Sequence, residues 1–332
     1  TNISGIFAKA EIFNRPLDNW NTINVTNMSE TFKNCLTYNE PLDNWNTASV
    51  TNMKGMFSAC LNFNQNINNW DVSQVTNMSE MFSACRSFNQ PLNIWNVSEV
   101  TDMNFMFFRA SNFNQNLNNW QVGKVTSMRS MFHESAISYP MNDWDVSKVT
   151  NMRQMFADTR NFNQPINSWD VSNVTNMSQM FERTRVFNQL LADWDVSGVE
   201  DMSGMFKGED LDMIYNQPLG AWDVSKVTNM SEMFQRCIAF NQPLNSWNVS
   251  KVLNMSKMFA ETTVFNQPLD SWNVAKVTNL SGMFQKAEQF NQPINSWNTT
   301  LVTNMSGLFQ NATSFNQNLA SWSVIGATNM SN

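Results

Sequence analysis

The chain has 332 residues, a formal net charge of −7 and charged side chains at only 14% of its positions. Such an acidic chain lacks the basic stripe that a phosphate backbone requires, so we expect no nucleic-acid partner. It contains no run of 18 apolar residues, and we therefore expect no direct insertion into a membrane.

The 13 tryptophans recur at a fixed interval and predict a repeat protein. They are Trp20, Trp45, Trp70, Trp95, Trp120, Trp144, Trp169, Trp194, Trp222, Trp247, Trp272, Trp297 and Trp322. The step is 25 residues, except for one step of 24 and one of 28. A period in this range is typical of a solenoid, in which each repeat forms one turn and packs on its neighbours. We therefore predict one domain over residues 1–332, with about 13 turns, or a slice of a longer array.

Each repeat begins with a return loop of consensus F-N-Q-P, as in Phe240–Pro243. The phenylalanine is predicted to plug the core. The asparagine recurs in nearly every turn, and stacked amides can bond the backbone of the turns above and below. We therefore expect an asparagine ladder along the stack.

A short strand is predicted next, from the pattern L-x-x-W-x-V at Leu244, Trp247 and Val249. Trp247 and Val249 alternate with the period of a strand, and equivalent strands of successive turns would stack in parallel about 4.8 Å apart. Asn248 between them would point away from the core.

A short helix or turn is predicted to follow. Met78, Met81, Phe82 and Cys85 stand at i, i+3, i+4 and i+7, which forms one apolar helical stripe. Thr76 precedes them as a possible N-cap. Two turns are irregular, near residues 133–141 and near residues 207–215, where the 24-residue and 28-residue steps fall. We predict an α/β solenoid with one strand and one helix or turn per repeat.

The repeat W-D-V-S-x-V-T-N-M-S-x-M-F, with F-N-Q-P-L between copies, resembles the 25-residue repeats of mycoplasma-type surface lipoproteins. It is similar, more distantly, to the leucine-rich repeats of bacterial surface antigens. The resemblance implies a right-handed, leucine-rich-repeat-like coil and an extracellular, cell-surface or virion-surface location. It also implies a role in adhesion or assembly, and it supplies no catalytic residues.

Metal and cofactor sites are not predicted. The methionines share their repeat positions with Leu280 and Ile3, as packing residues do, and the cysteines share theirs with alanine. The single histidine, His133, lies in no cluster of metal-ligand spacing, so we expect no zinc site. Calcium is the one alternative left open, because carboxylate and amide oxygens are its ligands.

Side chains that flank the tryptophans are the candidate ligand-binding residues. Those in the middle of the chain are acidic and are predicted to lie on an exposed strand face: Asp143, Asp145, Asp170, Asp193, Asp195 and Asp223. The three-residue insertion is a second candidate, since loops at the edge of a solenoid often bind partners: Glu209, Asp210 and Asp212. The alternative interpretation is a solvated face whose charges are balanced by neighbours, including a column of lysines such as Lys226.

We expect a non-enzymatic surface scaffold that binds a protein or a glycan, because no acid–base pair, nucleophile or phosphate loop is recognisable. The alternative is a structural subunit of a filament, or of a virion or cell-surface decoration, stacking end to end through uncapped termini. An ice-binding surface on the threonine column and an enzyme on the acidic strip are weaker rivals.

Overall fold

The computed structural model describes residues 1–209 and 212–331. The chain divides into two compact units, Thr1–Pro165 and Ile166–Asn332. Within each unit, the chain coils so that equivalent residues of successive turns lie over one another. The expectation of a single domain over residues 1–332 stays a prediction.

Successive turns in each unit are joined by isolated parallel β-bridges at the Thr-Asn-Met segment of the repeat. In the first unit these join Asn2–Asn27, Asn27–Asn52, Asn52–Asn77, Asn77–Asp102, Asp102–Ser127 and Ser127–Asn151. In the second unit they join Asn176–Asp201, Asp201–Asn229, Asn229–Asn254, Asn254–Asn279, Asn279–Asn304 and Asn304–Asn329. One further bridge, Met213–Cys237, lies outside the Thr-Asn-Met segment. Within the described ranges there is no helix, and no strand extends beyond these single-residue bridges. The parallel pairing of turns is therefore found, whereas the helix and the strand of several residues that an α/β solenoid contains are not found in these ranges.

The predicted strand at L-x-x-W-x-V is wrong in position. The backbone N–H of Trp45 bonds to the carbonyl of Leu42 at 3.1 Å, and that of Val50 bonds to Thr47 at 2.9 Å. Both donors close local turns and are unavailable to a ladder. The indole of Trp45 supplies the link between turns instead, because its Nε1 donates to the Leu17 carbonyl of the preceding turn at 3.1 Å.

Of the two predicted alternatives, helix or turn, the structure has the turn: this segment is a ribbon of consecutive turns. Glu30 has φ 55° and Asn34 has φ 62°, values that an α-helix does not contain. Alternate N–H groups leave the turn: Glu30 donates to Lys54 of the next turn at 2.8 Å. The N–H groups between them close local turns, as Cys35 does with Phe32 at 2.8 Å.

The threonine before this ribbon does not cap a helix. The N–H and Oγ1 of Thr51 both donate to the carbonyl of Thr26 in the preceding turn, at 2.9 and 3.2 Å. The same pair of bonds recurs at Thr76 and Thr101, so the threonine column joins turns.

The core consists of stacked columns of side chains. Trp45 lies over Trp70 at 6.5 Å between ring centroids, and Phe57 over Phe82 at 5.8 Å. The methionines of both columns are buried except Met330, which is 58% exposed, so their packing role is confirmed. The four cysteines are free and buried, and Sγ of Cys60 donates to the Phe32 carbonyl at 2.9 Å.

The asparagine ladder is confirmed within each unit. Asn64 donates its backbone N–H to Oδ1 of Asn39 at 2.9 Å, and Asn89 donates to Asn64 at 3.0 Å. In the second unit, Asn241 donates in the same way to Asn216 at 3.0 Å. The asparagines are half-buried or exposed rather than fully buried, because each side chain lies along the edge of the stack.

Candidate ligand-binding face

The aspartates that follow the tryptophans are fixed by Asx-turns. Oδ1 of Asp145 accepts the N–H and the Oγ–H of Ser147, at 3.1 and 2.6 Å. Asp170 accepts the same two bonds from Ser172, at 3.1 and 2.6 Å. These carboxylates are exposed to solvent. Their position therefore follows from the local sequence Trp-Asx-x-Ser and requires no partner.

The Asx-turn also sets the ionisation of this column. Hydrogen bonds from the hydroxyl and the N–H of the serine two residues later lower the pKa of Asp71, Asp145, Asp195 and Asp223. Hydrogen bonds to the charged form stabilise it. The face thus carries fixed negative charge at neutral pH.

The aspartates that precede the tryptophans pair with amides of the neighbouring turn. Oδ2 of Asp143 accepts from Nδ2 of Asn118 at 2.5 Å, and its Oδ1 accepts from Nδ2 of Asn142 at 2.9 Å. In the second unit, Nδ2 of Asn167 donates to Oδ2 of Asp193 at 2.5 Å. At both positions, an amide of the neighbouring turn holds the carboxylate in place.

A groove of about 350 Å³ in the first unit brings two of the candidate residues together. We call it the Asp143 groove, and its polar lining consists of Asn118, Asn119, Gln121, Asp143 and Asp145, with Gly123 beside them. The other four acidic candidates lie in the second unit, as the unit boundaries require.

Gly123 shapes the Asp143 groove. A β-carbon at this position would lie only 2.8 Å from Oδ2 of Asp145, so any larger residue forces the carboxylate to move. The equivalent position is Ser73 or Ser98 in neighbouring turns. Sequence reasoning missed this groove, although the substitution of serine by glycine in one turn was the available signal.

A larger, shallower groove of about 640 Å³ lies nearer the start of the chain. Asp43, Asn66, Asn68 and Asn69 contribute polar groups, and Ile94 contributes an apolar side chain that is 67% exposed. Sequence reasoning also missed this groove. Its lining is mostly polar, whereas small-ligand pockets are lined mostly by apolar side chains with a few polar groups.

Two ion pairs fix the position of the insertion. Arg183 contacts Glu209 at 3.0 Å, and Arg236 contacts Asp212 at 3.1 Å. Asp210 lies outside the described residues. Because the two described carboxylates each contact a guanidinium of their own unit, the insertion has a structural contact at each end.

The lysine column balances charge only in part. Lys124 pairs with Glu99 of the preceding turn at 2.6 Å rather than with an Asx-turn aspartate. Lys226 and Lys251 help to lower the pKa of Asp223, after the hydrogen bonds from Ser225. One further group of potential metal ligands, among the residues that the structure describes, is His133, Glu134 and Asp158. It corrects the expectation that the histidine has no neighbouring ligands.

The whole chain matches the family described as "Mycoplasma protein of unknown function, DUF285", through residues 1–120, 107–213, 193–278 and 245–332. The chain belongs to this family. No curated protein matches it. The four matches overlap, so the pattern of this family recurs along the chain.

Two solved structures of bacterial proteins are similar to this family member. A leucine-rich cell surface protein from Faecalibacterium prausnitzii is 15% identical over 95% of this chain and 74% of that one, with a TM-score of 0.40. An internalin (inlF) from Listeria monocytogenes is 10% identical over 85% of this chain and 79% of that one, with a TM-score of 0.26.

Within residues 1–209 and 212–331, the structure contains no helix with the length and hydrophobicity that a membrane crossing requires.

Proposed function

We propose that this chain is a non-enzymatic surface scaffold that binds a glycan. The binding surface is the exposed face formed by the aspartate and asparagine side chains that flank the tryptophans. The observation that supports the proposal is the Asp143 groove, where Asn118, Gln121, Asp143 and Asp145 present fixed carbonyl and carboxylate oxygens in a volume of about 350 Å³. Ligand pockets start at roughly 300 Å³, so the groove suits a unit the size of one sugar.

Preorganisation supports binding at this face. Asp145 is held by Ser147, and Asp143 by Asn118, before any ligand arrives. Fixed polar groups lose little side-chain entropy when a ligand binds. The same carboxylates and amide oxygens are suitable ligands for Ca²⁺, which would bridge protein and sugar hydroxyls.

Glycan-array binding with immobilised protein tests the proposal, with and without added Ca²⁺ and after chelation. Gly123→Ser, which restores the residue found in neighbouring turns, should fill the groove and weaken binding at least about tenfold. Asp143→Asn should weaken it similarly. Asp71→Asn, in an equivalent Asx-turn outside the groove, is the matched control. Binding that is equal in all three variants, or a protein ligand in place of a glycan, would contradict the proposal.

The absence of enzyme activity is part of the proposal. It is supported by the packing of the turns, whose interior is filled by columns of tryptophan, phenylalanine and methionine. Hydrolase or transferase activity of the purified chain, abolished by Asp145→Asn, would overturn it.

A surface location is proposed from the family resemblance. Antibody labelling or protease treatment of intact source cells or virions tests it, and protection of the chain in intact particles would contradict it. Self-association into filaments stays a prediction. Sedimentation velocity over a hundredfold range of concentration tests it, and a monomer throughout would rule it out.

A further inference from the structure

We propose that His133, Glu134 and Asp158 form a zinc-binding site that joins two neighbouring turns of the first unit. One ligand atom from each residue lies within 4.8 Å of the other two, and all three residues are half-buried. An imidazole nitrogen with carboxylate oxygens is a ligand set that Zn²⁺ accepts. This site is independent of the Asp143 groove.

The stacking of turns creates the cluster. Glu134 and Asp158 occupy the same position of the ribbon in successive turns, with φ 54° and 57°. The N–H of Glu134 donates to the carbonyl of Ala157 at 2.9 Å, which fixes the register of the two turns. The other turns of the first unit have no carboxylate at this position. The residues there are Lys9, Asn34, Ala59, Ala84 and Arg109.

The distance between His133 and Glu134 fits two ligands of one ion. Nε2 of His133 lies 3.2 Å from Oε1 of Glu134. In a tetrahedral site with metal–ligand bonds of about 2.1 Å, two ligand atoms are roughly 3.4 Å apart. The spacing of this pair therefore suits one ion, and Asp158 of the next turn supplies a third ligand atom within 4.8 Å of both.

The surroundings of His133 favour a neutral ring, the form that binds metals. Burial lowers the pKa of His133, although Glu134 and Asp158 oppose the shift. Its Nδ1 is buried and finds no hydrogen-bond partner within the described part of the chain, so Nε2, which faces Glu134, is the nitrogen available to a metal ion. Phe108 covers one side of the ring, with centroids 5.1 Å apart.

Arg109 competes with a metal ion for the carboxylate of Glu134. Its Nε contacts Oε1 of Glu134 at 3.1 Å, the oxygen that also faces His133. A bound dication must tolerate or displace this guanidinium. Removing the charge with Arg109→Gln should therefore tighten zinc binding, by roughly thirtyfold for a dication and a unit charge about 4 Å apart in water.

The test uses the whole chain and takes advantage of its single histidine. Zn²⁺ is titrated against a chromogenic chelator, and the one imidazole is followed by long-range ¹H–¹⁵N NMR. We expect one equivalent of Zn²⁺ to bind and to shift a ring ¹⁵N resonance. Co²⁺ in its place should give weak d–d bands without a thiolate charge-transfer band, because the four cysteines are buried.

Variants assign the ligands. His133→Ala and Asp158→Asn should each weaken binding by at least about tenfold. Glu261→Gln is the matched control, because Glu261 occupies the equivalent ribbon position, with φ 60°. Thermal unfolding confirms that each variant is folded, and Asp158→Asn serves if His133→Ala does not fold. Zinc affinity unchanged in Asp158→Asn, or an imidazole resonance that stays in place at saturating Zn²⁺, would overturn the proposal.

Discussion

The hydroxyl of Tyr38 is buried in the core without a hydrogen-bond partner among the described residues. Removing this hydroxyl should stabilise the protein. The side chain is fully buried, and its ring stacks on Phe32 at 4.3 Å and on Phe63 at 6.3 Å. No hydrogen-bond partner for its OH occurs among residues 1–209 and 212–331. Burial raises the pKa of Tyr38, so the hydroxyl stays protonated and unpaired in alkaline solution too.

Tyr38→Phe keeps the ring contacts and removes the buried hydroxyl. An unsatisfied buried polar group costs about 1–3 kcal/mol, so we expect the free energy of unfolding to rise by about 1 kcal/mol. Equivalent positions in the next turns already hold Phe63 and Phe88. With a urea m-value of roughly 1–3 kcal/mol/M, the midpoint should increase by about 0.3–1 M.

Urea titration followed by tryptophan fluorescence measures the change, provided that the m-value is the same in both proteins. Tyr215→Phe repeats the experiment in the second unit, where the buried OH of Tyr215 is likewise without a partner in the described residues. Phe63→Tyr is the reverse control and should destabilise by about 1–3 kcal/mol. An unchanged or lower midpoint for Tyr38→Phe would show that a hydrogen bond stabilises the hydroxyl.

Three further predictions concern the columns. The four cysteines should not react with a thiol reagent at pH 8 until the protein unfolds, because burial raises their pKa, to about 11 for Cys35; one rapidly titrated thiol in native protein would contradict this. Trp70→Phe should cost at least about 2 kcal/mol in a urea titration, because the Leu42 carbonyl loses the indole N–H 3.0 Å away and a cavity forms. The Asx-turns lower the folded pKa of Asp71, Asp145, Asp195 and Asp223 below the unfolded value of about 3.9, so they stabilise the protein above that pH. That stability is lost as the pH falls through the folded pKa, and the urea midpoint at pH 3 relative to pH 6 should fall less in Asp223→Asn.

The period and the identity of the core columns follow from the sequence, because one tryptophan per turn and interchangeable Met, Leu and Ile leave few alternatives. The local structure was harder to predict. Apolar residues at i, i+3, i+4 and i+7, as at Met78 and Cys85, also point to one side of a ribbon of turns. The signal against a helix was glycine at one ribbon position in several turns: Gly5, Gly55, Gly204, Gly282 and Gly307, each with φ near 60°.

The candidate site was only partly predictable for a related reason. Spacing places Asp143 and Asp145 on an exposed face, but the groove depends on a missing β-carbon at Gly123. The approach of His133 to Asp158 depends on which positions of successive turns coincide, and the 24-residue step obscures that register. Contacts between turns emerge once the repeats are aligned position by position, including the irregular ones.

The change in the free energy of unfolding on substitution by glycine has opposite signs in a helix and in a ribbon of turns. Lys257 is exposed and has φ 53°, and Gly282 occupies its position in the next turn with φ 60°. In a helix, Lys257→Gly would destabilise by about 1 kcal/mol. In the ribbon it relieves a left-handed conformation that costs other residues roughly 1–2 kcal/mol, and glycine's greater freedom in the unfolded chain offsets part of that gain.

We therefore expect Lys257→Gly to raise the free energy of unfolding by about 0.5–1 kcal/mol, measured by urea titration. The matched control is Lys251→Gly, an exposed lysine outside the set of residues with positive φ, which should lower it by about 0.5–1 kcal/mol. Because both variants remove one exposed lysine, the change in side-chain entropy largely cancels in the comparison. Destabilisation by both substitutions to the same extent would mean that the segment after Asn254 is not a ribbon of left-handed turns.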